Sequence, residues 1–159
     1  MTVFFMEYQE KNNIYYQVVF YYFPWISALF IIFALSSQPA TELPDIQNIY
    51  LDKIAHIIEF FVLGICTVRV FRLWVDMKGV AGNNRIIFIY LFSFIFVVLF
   101  GLIDEIHQIY IEGRQFDLID LVMDAVGMIL VLILYKVIID SKTSMQLTRA
   151  IGNKEDLKP

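Results

Sequence analysis

Cysteine is almost missing from this chain. Cys66 is the only one in 159 residues, so no disulfide can form within the protein and cysteine usage says nothing about its redox compartment; inside an apolar run, Cys66 reads as a packing residue. Charge is scarce too, at 18% of residues against about 25% for an ordinary soluble domain. The net charge of −4, with no basic stripe visible, argues against a nucleic-acid partner, which requires a basic phosphate-binding surface. Sustained period-two alternation is absent, which argues against a membrane-spanning barrel. No small-x-small cleavage pattern follows the first apolar run, so that run reads as a span and not as a secretion signal. No internal repeat is evident. No H-x-x-x-H or H-E-x-x-H signature is present either, so the sequence names no cofactor and leaves a metal open.

What is abundant is apolar surface. Hydrophobic residues make up 59% of the chain, with 15 Phe and 9 Tyr, more than a soluble domain of this size could cover. Four apolar segments stand out: 14–35, 54–75, 86–103 and 118–139. Each approaches the roughly 20 residues that a helix needs to cross about 30 Å of hydrocarbon. The expected fold is therefore all-α, an integral membrane bundle of four transmembrane helices arranged as two helical hairpins. Pro24 in the first segment predicts a kink or an adjusted helix start.

The distribution of Lys and Arg orients the bundle. With four spans, the N-terminal segment, the middle loop and the C-terminal tail share one side. That side collects ten of the twelve basic residues, leaving Lys53 and Arg114 on the other. The positive-inside rule then places both termini in the cytoplasm of a multi-pass cell-membrane protein. Residues 1–13 read as a cytoplasmic N-terminal segment and 140–159 as a cytoplasmic tail of polar composition.

Against this background the polar residues fall in a pattern. Ser36, Ser37 and Gln38 close the first segment, Lys53, His56 and Glu59 open the second, Asp104, Glu105 and Gln108 close the third, and Asp117, Asp120 and Asp124 open the fourth. All lie at the outer ends. At 100° per residue, Lys53, His56 and Glu59 share a sector about 120° wide, and Asp117, Asp120 and Asp124 one of about 60°. An ionised side chain near the centre of a span costs about 2.5–3.5 kcal/mol on insertion scales, so such stripes should turn toward one another or toward water. A shared polar pocket is the expectation. Asp52 and Asp117 also suit helix caps, whereas Glu59 and Asp124 lie too deep for capping and could instead form buried pairs with Lys53, His56 or Arg114. His107 reads as a solvated interfacial histidine.

The blocks SSQ, DKIAHIIEFFVLG, GLIDEIHQ and EGRQFDLIDLVMDAVG, in this order from Ser36 to Gly127, resemble the VanZ-like family of small bacterial membrane proteins. The resemblance implies a four-helix VanZ-like domain over residues 14–139. Its founding member is linked to low-level resistance to teicoplanin, a glycopeptide acting outside the membrane, so an effect on glycopeptide susceptibility is an expectation here. Matched by motif, the characteristic polar set is Lys53, His56, Glu59, Asp104, Glu105, Gln108, Arg114 and Asp120. Glu112, Asp117 and Asp124 stand where Pro, a small hydroxyl residue and Asn are more usual, which makes this pocket more acidic.

Three functional classes follow. As an enzyme, a hydrolase or transferase on an envelope lipid, the protein would use Glu105, Asp120, His56, Glu59 and Asp104 for acid/base or metal-assisted chemistry. Lys53, Arg114, Gln108 and Ser37 would hold an anionic headgroup of an envelope precursor, with Arg114 suited to a bidentate grip. As a binding or shielding module, it would use the same cations without turnover. A small transporter ranks last, because the polar residues stop in the outer halves of the spans. Membrane lipids are the expected surroundings in every case, and the oligomeric state is not written in the sequence.

Overall fold

The computed structural model describes residues 13–40, 49–80 and 82–155, leaving most of the expected N-terminal segment outside the described residues. It is all-helical. The order is α1 (Ile14–Gln17), a π-helical turn (Val18–Tyr22), α2 (Phe23–Ser36), α3 (Ile49–Met77), α4 (Asn83–Gln108) and α5 (Leu118–Glu155). Four stretches are long and apolar enough to cross a membrane: Ile14–Ser36, Leu51–Met77, Asn84–Gln108 and Leu118–Ile138. In hydrocarbon no water is available to bond a bare backbone, so a helix is the form that satisfies each such run internally.

Helices α3, α4 and α5 pack against one another, and α2 lies against α3 and α4. Phe60, Leu63, Val97 and Met128 are completely buried where they meet. The outward faces are apolar as well: Phe30 is 72% exposed, Ile103 59% and Ile133 55%. In water such faces would drive association. In a bilayer they are simply the lipid contact.

The first span is irregular for an identifiable reason. Proline lacks an N–H, so Pro24 cannot donate to the Phe20 carbonyl four residues back. Arg69 Nη2, on α3, donates to that carbonyl instead, at 3.0 Å, and its guanidinium lies over the Tyr21 ring. The π-helical turn ends two residues before the proline, the kind of adjustment expected where the regular ladder is interrupted.

Gly127 permits a close approach of helix backbones. A Cβ there would lie 2.6 Å from the Ile57 carbonyl oxygen and 3.0 Å from the Phe61 nitrogen, so α5 approaches the backbone of α3 directly at this level. The helices keep the expected starts at Ile14 and Leu118 and extend beyond the other expected boundaries. Asp104, Glu105 and Gln108 belong to the last turns of α4, and α5 continues as helix through residues 140–155, the stretch read from its composition as a polar tail.

Candidate functional site

The alternating direction of the spans brings the C-terminal ends of α2 and α4 together with the N-terminal ends of α3 and α5. Two loop contacts fasten that end. Ala40 N–H donates to the Glu112 carbonyl at 3.1 Å, and Arg114 Nε donates to the Gln38 carbonyl at 3.2 Å. Gly113, with φ of +77°, provides the left-handed turn that reverses the chain beside Ala40, a conformation that glycine adopts without steric cost.

A cavity of about 110 Å³ opens here, lined by Leu35, Ser36, Asp52, Ala55, His56, Glu59, Asp104, Gln108 and Arg114. That volume holds several waters or one small polar group. Asp104 is fixed from two sides: Ser36 Oγ donates to Oδ1 at 2.6 Å, and Gln108 Nε2 to Oδ2 at 3.3 Å. His56, one α3 turn from Asp52, has Nδ1 at 2.9 Å from Asp124 Oδ1.

A second cluster adjoins the cavity. Lys53 Nζ donates to Asp117 Oδ2 at 2.6 Å and to Asp120 Oδ1 at 2.5 Å, with Asp52 Oδ2 at 3.4 Å. Asp117 also caps α5, its Oδ1 accepting from the Ile119 N–H at 2.8 Å, while its own N–H donates to Glu105 Oε2 at 2.8 Å. The Lys53 ammonium and the Ile119 N–H hold the Asp117 carboxyl below the usual aspartate range. Its contribution to stability is complete above the ordinary aspartate range and is lost as the pH falls through the lowered value.

The structure thus sorts the expected residues into three places. His56, Glu59, Asp104, Gln108 and Arg114 line the cavity. Lys53, Glu105 and Asp120 form the cluster beside it. Ser37 points elsewhere: its hydroxyl donates to the Phe33 carbonyl at 2.6 Å and lies 3.0 Å from His107 Nε2. His107 in turn stacks on Phe33, with ring centroids 4.3 Å apart. Ser36, one residue earlier, takes the place at the cavity.

Two participants carried a weaker signal in the sequence. Asp52 reads as a helix-start acid, although its i, i+4 spacing to His56 already places both on one face. Asp124 stands four residues after Asp120 and is 1% exposed, so it is a buried partner of His56, as its depth suggested. Among the described residues, seven buried or half-buried carboxylates (Asp52, Glu59, Asp104, Glu105, Asp117, Asp120 and Asp124) share this end with two permanent cations, Lys53 and Arg114.

Four apolar helices enclosing a charged pocket at one end define an integral membrane bundle with a polar site. The VanZ/LLP1 family profile matches residues 1–139, and the chain belongs to that family. Comparison with curated proteins and with solved structures found no match.

Proposed function

We propose that the cavity faces the outside of the cell membrane and binds, or acts on, an envelope component carrying an anionic headgroup, with glycopeptide susceptibility as a physiological readout. The outward placement is supported by the ten-to-two distribution of Lys and Arg under the positive-inside rule. The observation that carries the ligand class is Arg114. It lines the cavity and is tied through Nε to the Gln38 carbonyl, while its terminal nitrogens have no hydrogen-bond partner among the described residues. A guanidinium so held is oriented to fork onto a phosphate or carboxylate. Lys53 is already committed to carboxylates, so Arg114 is the anchor and Lys53 a support.

The experiment is direct. The full chain is purified in native-like membrane, and its retained lipids are identified by mass spectrometry. An anionic envelope lipid should be retained, and Arg114→Ala should reduce its occupancy at least about tenfold, as expected for loss of a charge-assisted contact of about 1.5–3 kcal/mol. Retention unchanged by Arg114→Ala would count against this reading. Turnover is separated from binding by Glu105→Gln and Asp120→Asn, which preserve shape. An enzyme loses its activity in both variants, and a shielding module retains its ligand.

A further inference from the structure

We infer that Asp52, His56 and Asp120 form a divalent-cation site at the base of this end of the bundle, for which Mn²⁺ and Zn²⁺ are the fitting ions. One ligand atom from each of the three lies within 4.8 Å of the others. Metal–ligand bonds of about 2.1 Å place donor atoms roughly 3.0–4.2 Å apart. Side-chain movements of less than about an ångström therefore close the set around an ion.

The second observation is the placing of the His56 ring. His56 is 6% exposed. Its Nδ1 is engaged by Asp124 at 2.9 Å, but its Nε2 has no hydrogen-bond partner among the described residues and lies 3.8 Å from Asp120 Oδ2. That distance is too long for a hydrogen bond. Two buried side chains thus present a ring nitrogen and a carboxylate oxygen to one another across a gap. In the neutral tautomer that donates Nδ1–H to Asp124, Nε2 would present its lone pair to that gap, the arrangement by which a carboxylate orients a metal-binding histidine. The remaining oxygen of Asp120 is directed into the gap as well, because its other one is held by Lys53.

Electrostatics point the same way. Seven carboxyl groups share this end with two permanent cations, and in low-dielectric surroundings a bound divalent cation offsets those of them that are ionised. One imidazole with two carboxylates suits Mn²⁺ or Zn²⁺ better than Mg²⁺, which prefers oxygen and water. Asp52 and His56 also line the cavity, so the open coordination positions of the ion would face it. The ion would share this cavity with the proposed headgroup, but Arg114 is not among its ligands, so the two readings can fail separately.

The test uses the full chain in nanodiscs of zwitterionic phosphatidylcholine, titrated with Mn²⁺ and read by pulsed electron paramagnetic resonance. The expected result is stoichiometric binding with ¹⁴N hyperfine coupling from one imidazole, displaced by Zn²⁺. His56→Gln should abolish the coupling. Asp52→Asn and Asp120→Asn should each weaken binding at least about tenfold, and Asp124→Asn, which acts through the orientation of His56, about 10–100-fold. Arg114→Ala should leave Mn²⁺ binding intact, which separates this site from the headgroup site. Mn²⁺ left free at millimolar concentration, or bound without ¹⁴N coupling in the unaltered protein, would overturn the inference even if a variant failed to fold.

Discussion

Gly127→Ala is expected to be among the most damaging single-methyl changes that this protein can undergo. The added carbon would lie 2.6 Å from the Ile57 carbonyl oxygen, with the Phe61 nitrogen at 3.0 Å and the Phe60 carbonyl carbon at 3.3 Å. All three are backbone atoms of α3 and have no rotamer by which to withdraw. Overpacking typically costs about 1–3 kcal/mol, and a clash with backbone belongs at or above the top of that range. Gly64 is the internal comparison. A Cβ there would meet Met128 Sδ at 2.9 Å and Val131 Cγ2 at 3.1 Å, which are side-chain atoms, and methionine is the more adaptable of the two.

Thermal unfolding in a mild detergent should therefore show a much larger loss of Tm for Gly127→Ala than for Gly64→Ala. The effect should extend to the site, because Ile57 directly follows His56. Pushing α5 off α3 lengthens the 2.9 Å contact between His56 and Asp124. Equal behaviour of the two glycine variants would show that α3 and α5 are not packed as described.

Lys53→Met should have the second large effect. Removing the ammonium leaves Asp117 and Asp120 without their cation while retaining a side chain of similar length. Breaking a buried ion pair by deleting one partner costs about 3–5 kcal/mol. Asp120 is nearly buried, at 7% side-chain exposure, but Asp117 is 40% exposed, so solvent screens part of the loss. About 2–4 kcal/mol is the expected destabilisation after that discount. The double variant Lys53→Met with Asp120→Asn should recover a substantial part, because the stranded charge is then neutral. Chemical denaturation of the single and double variants measures this coupling. An additive double variant would mean that Lys53 and Asp120 do not interact.

The two predictions separate what was legible in the sequence from what was not. The four spans were readable because an uninterrupted apolar run leaves the backbone no alternative to helix. The pairing of their polar ends was readable because isolated ions are costly in hydrocarbon. Boundaries were underestimated: Asp104, Glu105 and Gln108 look like the end of a helix by hydropathy, yet remain helical, with Asp104 bonded to Ser36 of α2 and to Gln108 one turn on, and Glu105 to the Asp117 N–H.

Rotational phase was the harder quantity. Ser36 and Ser37 are alike in chemistry but differ by about 100° around the helix, and only packing against α4 decides that Ser36 meets Asp104 while Ser37 meets His107. Asp52 was obscured by its suitability for the first turn of a helix. The commitment of Lys53 to carboxylates likewise depends on distances between helices that no spacing within one helix records. Arg69 behaves similarly, since its bond to the Phe20 carbonyl joins residues far apart in the chain.

The central claim is that charged groups from separate spans meet in one pocket on the outer side of the membrane. Tyr110, in the loop between α4 and α5, is 81% exposed and offers a probe position. In a Cys66→Ala background, Tyr110→Cys should react with a membrane-impermeant maleimide in intact cells, without permeabilisation. Labelling only after the membrane is opened would place the α4–α5 loop in the cytoplasm and contradict the account.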